Sequence, residues 1–177
     1  MGIFTKLGDT QNQRTFVMKT ETIDYNHDGK ELEAFIAFDE TKEKAPGILV
    51  FHAWRGKDDF VLEKAKWLSS LGYVGIALDV YGKGVLGSSP EENAQLMQPF
   101  IDDRTFLLSR MEAGLKVAMD HPQVEKGKMG AMGFCFGGLC VLDLARSGAP
   151  IQGATSLHGL LMPPGYENKT GTQTPPA

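Results

Sequence analysis

A cysteine between two glycines is the pattern in this chain best suited to chemistry. The run Gly133-Phe134-Cys135-Phe136-Gly137 places a possible nucleophile between two glycines, each two residues away, which is typical of a nucleophile elbow. Such a nucleophile sits on a sharp strand-to-helix turn with strained backbone, where larger side chains at the two glycine positions would collide. The turn also puts the sulfur at a helix N-terminus, where the macrodipole and free N–H groups favour a thiolate and a developing negative charge.

Glycine-rich turns have other uses, and the local pattern leaves them open. A buried cysteine is commonly inert, so the turn is either a nucleophile elbow or a purely structural turn. A nucleotide-binding domain is a third possibility. However, a phosphate-binding loop needs Gly-Lys-Ser/Thr where this chain has Gly138-Leu139, and the dinucleotide-binding glycine spacing is absent.

Three further polar residues follow apolar runs that predict buried strands. His52, Asp79 and His158 each stand at or just beyond the end of such a run, as Cys135 does. Because the carboxyl ends of parallel strands meet at one edge of a sheet, these four residues are expected near each other. Their convergence favours the nucleophile elbow over a structural turn.

The elements that must position these residues follow the order β-β-β-α-β-α-α-β-α-β. A Thr/Val-rich segment at 14–25 and an alternating apolar pattern at 31–38 predict two strands of an N-terminal antiparallel hairpin. Short apolar runs predict strands buried on both faces, and periodic segments predict helices between them; the strands are 47–52, 73–78, 128–133 and 151–157. The pattern indicates a single α/β domain over 1–177, with a mainly parallel sheet, helices on both faces, and flexible ends at 1–13 and 163–177.

Composition excludes several functional classes. The 177 residues are 42% hydrophobic and 23% charged with a net charge of −4, so the chain can bury one core and nucleic acid is not an expected partner. No apolar run approaches the roughly 18 residues of a membrane helix, and the first residues lack signal-peptide features, which predicts a cytoplasmic protein. Cys135 and Cys140, five residues apart on one predicted helix, face different sides and cannot easily bridge, and neither has metal-ligand spacing, so no disulfide, metal or cofactor is expected.

Four segments together resemble the dienelactone hydrolase family of the α/β-hydrolase fold. They are LVFHAWRG, ALDVYGKG, GFCFGG and SLHG, in the order and at spacing similar to that family, and the similarity runs from Phe16 to Met162. The resemblance implies cleavage of a small-molecule ester or lactone through an acyl-enzyme, with Cys135 as nucleophile. It also implies an oxyanion hole formed by the backbone N–H groups of Trp54 and Phe136.

The resemblance implies roles for several other side chains. Lys83 matches an arginine that holds a substrate carboxylate in founding members, and His158 matches a tyrosine that lines the pocket. His52 either supports the oxyanion loop through hydrogen bonds or takes part directly. Arg55 either contacts an anionic substrate or is a solvated loop residue.

The chain departs from the family pattern in two ways. Founding members carry a glutamate that helps to control the thiol where this chain has Ala53, which favours a broader ester or thioester substrate. The catalytic Asp and His of the family would follow the last predicted strand, so the chain is expected to be truncated and to lack the last strands. The alternative function is therefore a non-catalytic domain that binds a small ligand or a partner, and the open sheet edge predicts a possible homodimer.

Overall fold

A six-stranded sheet with four helices forms in the predicted order. The computed structural model describes residues 15–161. The strands are β1 (Met18–His27), β2 (Lys30–Asp39), β3 (Ala45–Phe51), β4 (Val74–Leu78), β5 (Val124–Phe134) and β6 (Gly153–Leu157). The helices are α1 (Asp59–Ser70), α2 (Pro90–Asp102), α3 (Arg104–Asp120) and α4 (Phe136–Arg146).

The sheet is mainly parallel, with the predicted antiparallel hairpin at one edge. Its strand order is β1-β2-β4-β3-β5-β6. The hairpin β1–β2 joins β4 in antiparallel fashion, whereas β4, β3, β5 and β6 run parallel to one another. Phe51 lies opposite both Leu78 and Gly133, so the parallel strands end level with each other and their following loops meet at one edge.

Helices cover the two faces of the sheet, as predicted. Helices α3 and α4 pack on one face over a large apolar cluster that includes Leu49, Ile76 and Phe136. Helix α1 packs on the other face, over a smaller cluster in which Val61 and Ala65 meet Val50. Val61, Ala65 and Leu68 recur at helical spacing, which explains why this segment forms an amphipathic helix.

Two elements differ from their predicted form. The run 151–157 was expected to be a strand buried on both faces, but β6 begins at Gly153 and its residues are exposed or half-buried. The prediction of a buried strand is wrong, because within residues 15–161 β6 pairs only with β5 and forms the edge of the sheet. Ser89-Pro90 in the sequence predicts the start of a helix that ends near residues 97–100. Helix α2 instead continues through Pro99 to Asp102, because Phe100 and Ile101 are buried in the core.

Some predictions concern segments outside this description. The ends expected to be flexible, 1–13 and 163–177, fall outside the described residues. Among the helices that the structure describes, none combines the length and apolar character needed to cross a membrane.

Candidate active site

Cys135 occupies the predicted strand-to-helix turn. It lies between β5 and α4 with φ 55° and ψ −114°, a backbone conformation that non-glycine residues rarely adopt. Its N–H donates to the Leu157 carbonyl at 3.0 Å, and its own carbonyl accepts from the Gly138 N–H at 2.9 Å. The side chain is half-buried. The backbone of neighbouring elements therefore holds the cysteine in a strained turn while part of it stays accessible.

The two flanking glycines are required by close backbone approach. A Cβ at Gly133 would lie 2.1 Å from the Gly137 carbonyl oxygen, and a Cβ at Gly137 would lie 2.3 Å from the Phe51 carbonyl oxygen. Real Cβ atoms do not come that close to backbone, so the strand and helix could not pack at this distance with any other residue. The glycine spacing noted in the sequence thus has a steric cause.

The second cysteine is in a different environment. Cys140 is fully buried in α4, and both cysteines are free thiols. Burial raises the pKa of the Cys140 thiol well above its usual value. Of the two sulfur atoms, only that of Cys135 is therefore available to a substrate.

The loop after β3 brings the second predicted oxyanion donor towards this turn. Trp54 stands in that loop, and Phe136 follows Cys135 as the first residue of α4. Neither the Trp54 N–H nor the Phe136 N–H donates to an atom of residues 15–161. An oxyanion hole needs N–H groups without a partner inside the protein, and among the described residues both groups meet that condition.

His52 is fully buried behind this loop and has both ring nitrogens engaged. Its Nδ1 lies 2.6 Å from the Ala53 carbonyl oxygen, and its Nε2 accepts from the Val80 N–H at 3.2 Å. A carbonyl only accepts and an amide N–H only donates, so the ring is the neutral tautomer with the proton on Nδ1. Burial lowers the pKa of His52 to about 4. With both nitrogens occupied, His52 is in a supporting position and has no free lone pair for a substrate.

Asp79 holds the next loop. Its Oδ1 accepts from the N–H groups of Tyr81 at 2.9 Å and Gly82 at 3.0 Å, while burial raises the pKa of the carboxyl. Its Oδ2 is buried and has no hydrogen-bond partner among the described residues. Asp79 therefore caps a turn at the end of β4.

His158 adjoins the nucleophile turn through the backbone. It follows β6 with φ 42°, is exposed, and its ring centroid lies 6.2 Å from that of Phe134. Two residues near His158 in the chain bind the backbone of Cys135. The Leu157 carbonyl accepts from the Cys135 N–H, and the Leu160 N–H donates to the Cys135 carbonyl at 3.4 Å. The structure thus brings His158 to the same edge of the sheet as Cys135.

The two predicted basic substrate contacts are engaged elsewhere. The Lys83 Nζ bonds Asp24 and lies 3.2 Å from Glu31, both on the N-terminal hairpin. Arg55 donates from Nε to the Gly87 carbonyl at 3.2 Å, and its guanidinium is 4.0 Å from Asp58. A substrate carboxylate would have to compete with these partners.

Tyr81 belongs to the site but was not predicted from the sequence. Its hydroxyl donates to the Trp54 carbonyl at 3.0 Å. The two residues are far apart in the chain, and no spacing rule joins them. Its position two residues after Asp79 is the one signal in the sequence, and that signal also fits an ordinary loop residue.

A known family and several solved structures resemble this chain. The model of the dienelactone hydrolase family matches residues 32–176. A probable 2-oxo-3-(5-oxofuran-2-ylidene)propanoate lactonase from Bradyrhizobium sp is 28% identical over 159 residues, covering 86% of this chain and 62% of that protein. A carboxymethylenebutenolidase from Pseudomonas putida is 28% identical over 138 residues, covering 74% of this chain and 58% of that protein.

The solved structures agree with the sequence comparisons. The structure named m3DLH has a TM-score of 0.78 at 34% identity, covering 82% of this chain and 61% of that one. A dienelactone hydrolase-like promiscuous phosphotriesterase, P91, from metagenomic libraries has a TM-score of 0.77 at 30% identity, covering 89% and 65%. The chain spans about three fifths of the length of the curated relatives it matches. On the family match, the chain belongs to the dienelactone hydrolase family.

Proposed function

We propose that this chain hydrolyses a small ester or lactone through an acyl-enzyme on Cys135. The observation that carries the proposal is the half-buried cysteine at positive φ, followed directly by Phe136, whose N–H has no partner within residues 15–161. A strained turn at a helix N-terminus is the position at which a nucleophile is presented and its developing charge stabilised.

The reaction proceeds in two steps. The Cys135 thiolate attacks the carbonyl carbon, a C–S bond forms, and the carbonyl oxygen becomes an oxyanion bound by the Trp54 and Phe136 N–H groups. The oxyanion collapses, the C–O bond breaks and the alkoxide oxygen takes up a proton, while the acyl group stays on sulfur. The alcohol of an ester then leaves, whereas the hydroxyl of an opened lactone remains part of the acyl chain. Water then attacks the thioester, the C–S bond breaks, and the acid and the thiol are released.

A general base must remove protons from the thiol and from the attacking water. His52 cannot serve because both of its nitrogens are engaged. The four histidines of this chain all lie within residues 15–161. We therefore propose that the activating His and its orienting Asp, which the family resemblance implies, are supplied from outside these 177 residues. His158 is the alternative base within the described residues, since it is exposed and adjoins the turn.

The substrate is best described as a small neutral ester or lactone. Lys83 and Arg55, the basic candidates for binding a carboxylate, already have partners on this chain. Their charge is balanced, so an anionic substrate gains less from them than from a free cation. His158 remains the proposed pocket residue next to the nucleophile, and Ala53 leaves room where founding members have a glutamate.

Turnover of p-nitrophenyl acetate tests this function. The wild-type chain is expected to release p-nitrophenolate, and Cys135→Ser is expected to lose most of that activity because a neutral hydroxyl is a weaker nucleophile than a thiolate. Equal rates in the two proteins would contradict the assignment of Cys135.

A non-catalytic domain that binds a ligand or a partner is the second candidate. The observation that favours it is β6, an exposed strand at the end of the described sheet. Through this edge a second copy of the chain could add its own β6, which is the proposed homodimer. A monomer with strong esterase turnover, seen by size-exclusion chromatography and assay of the same fractions, would defeat this candidate.

We also propose a cytoplasmic location. Cys135 and Cys140 are both free, and a reactive free thiol is retained most readily in a reducing compartment. Fractionation of cells that express the tagged chain would test the location, and recovery outside the cytoplasm would contradict it.

A further inference from the structure

One side chain contacts both residues that carry the proposed oxyanion donors. Tyr81 is nearly buried in the loop after β4. Its hydroxyl donates to the Trp54 carbonyl at 3.0 Å, and its ring stacks on that of Phe136 with the centroids 5.8 Å apart and 26° between planes. Trp54 lies in the loop after β3 and Phe136 is the first residue of α4, so Tyr81 links the two elements that carry the proposed donors.

The hydrogen bonds around Trp54 fix two successive peptide units. The Trp54 N–H shares a planar trans peptide with the Ala53 carbonyl, so the two point in opposite directions. His52 Nδ1 donates to that Ala53 carbonyl at 2.6 Å and so sets the direction of the Trp54 N–H. The Tyr81 hydroxyl holds the next carbonyl, that of Trp54 itself, which prevents the residue from rotating about its own backbone bonds. Together, His52 and Tyr81 determine where the donor points.

Tyr81 is itself held rigidly. Its ring packs edge-on against His52 at 4.7 Å and stacks on Phe100 at 5.6 Å, and its N–H donates to Asp79 Oδ1 at 2.9 Å. Burial raises the pKa of Tyr81, so the hydroxyl keeps its proton and acts as a donor. A rigid donor loses little entropy on holding the loop, which suits a positioning role.

We propose that Tyr81 is a positioning residue that aligns the Trp54 N–H with the Phe136 N–H for the oxyanion of the acylation step. The proposal rests on the proposed function of Cys135. Tyr81 does not touch the substrate; it acts through Trp54 and Phe136. Loss of its hydroxyl therefore slows the step in which a carbonyl oxygen gains charge and leaves other reactions of the same thiol unaffected.

The test compares two reactions of Cys135 in Tyr81→Phe. Acylation by p-nitrophenyl acetate passes through a tetrahedral oxyanion, whereas alkylation by iodoacetamide displaces iodide from an sp³ carbon and generates no carbonyl oxyanion. We expect the acylation rate to fall about 10-fold, less than the 10²–10³ typical of removing a donor outright. The decrease should appear in kcat, with KM unchanged. The rate of alkylation by iodoacetamide should stay within about twofold of the wild-type rate.

Tyr25→Phe is the matched control. The Tyr25 hydroxyl also donates to a backbone carbonyl, that of Asp79, at 3.3 Å, but it contacts neither proposed donor. We expect this variant to lose comparable stability with both rates unchanged. Wild-type acylation in Tyr81→Phe would overturn the proposal, and so would an equal fall in acylation and alkylation, which would indicate a merely structural role.

Cys135→Ala separates this inference from the function on which it rests. If Cys135→Ala is inert and Tyr81→Phe reacts like wild type, only the positioning role proposed for Tyr81 is wrong. If Cys135→Ala releases p-nitrophenolate at the wild-type rate, the nucleophile assignment fails and the role of Tyr81 fails with it.

Discussion

Cys135 and Cys140 are five residues apart, yet the structure gives them opposite properties. Cys140 packs in the core, whereas Cys135 stands half-buried at positive φ on the turn. The glycine spacing around Cys135 predicted this turn, because only glycine tolerates the backbone contacts found there. The hydrogen bonds of His52 and Tyr81 could not be predicted, because they join loops that meet only after the sheet has formed.

Replacement of Gly133 should be far more costly than replacement of an unconstrained glycine. An alanine Cβ at Gly133 would lie 2.1 Å from backbone, so β5 and α4 would have to separate, at a cost of about 3 kcal/mol in the free energy of unfolding. Gly153→Ala is the control, since a Cβ there meets nothing within 4 Å. Denaturant unfolding of both variants measures the difference, and equal stabilities would contradict the packing argument.

Protonation of His52 should destabilise the fold below neutral pH. The pKa of His52 is about 4 in the folded chain and about 6.5 when unfolded, so between these values the unfolded state binds more protons. The contribution of neutral His52 to the free energy of unfolding is therefore fully present above pH 6.5 and is lost as the pH falls to 4. The loss amounts to about 3 kcal/mol.

His52→Gln isolates this effect. A glutamine amide can donate to the Ala53 carbonyl and accept from the Val80 N–H without titrating. In urea titrations at pH 7, 5.5 and 4, wild type should lose stability relative to the variant as the pH falls. Parallel profiles for the two proteins would show that His52 is not buried in its neutral form.

At the scale of elements, an ion pair fixes the helix that begins at the nucleophile. Arg104 at the start of α3 donates from Nε to Asp143 Oδ2 of α4 at 2.5 Å, and its Nη2 bonds the other oxygen. Both side chains are buried. This bidentate pair holds α4, and with it the Phe136 N–H, against its neighbour.

Removal of one partner of the Arg104–Asp143 pair should strongly destabilise the fold. Asp143→Ala leaves the Arg104 charge buried without its main partner, which costs about 3–5 kcal/mol in the free energy of unfolding. The double variant Arg104→Met/Asp143→Leu should recover most of that loss. Asp120→Ala, which breaks the exposed pair with Lys116, should leave the stability unchanged within error. Equal effects of Asp143→Ala and Asp120→Ala would contradict this account.

The order of the elements was predictable, but some of their ends were not. Continuous apolar runs identified β3 and β4 because both strands are buried on two faces. The same signal failed for β6, since exposure depends on what covers a strand and not on its own composition. Helix α2 extends beyond its expected end near residues 97–100, because burial of Phe100 and Ile101 outweighs the hydrogen bond lost at Pro99.

At the scale of the whole molecule, the two edges of the described sheet differ. β1 forms one edge, and β6, short and exposed, forms the other. Beside β6 lies an apolar groove of about 460 Å³ lined by residues of α1, β5 and β6, Trp67 and Met132 among them. An uncharged edge next to an apolar groove is the surface at which the proposed homodimer would form.

Light scattering coupled to size-exclusion chromatography tests the proposed dimer. We expect the chain to elute as a dimer, and Thr155→Lys, which puts a charge on β6, to shift it to monomer. Thr22→Lys makes the same change on the exposed part of β1 and should have no effect. A monomer at every concentration would rule out association through β6.

The central claim, that Cys135 is the nucleophile, is tested most directly by acetylation with p-nitrophenyl acetate followed by intact-mass spectrometry. The account predicts one acetyl group per chain in wild type and in Cys140→Ala, and none in Cys135→Ala. Acetylation of Cys135→Ala at the wild-type rate, or loss of acetylation in Cys140→Ala alone, would contradict it.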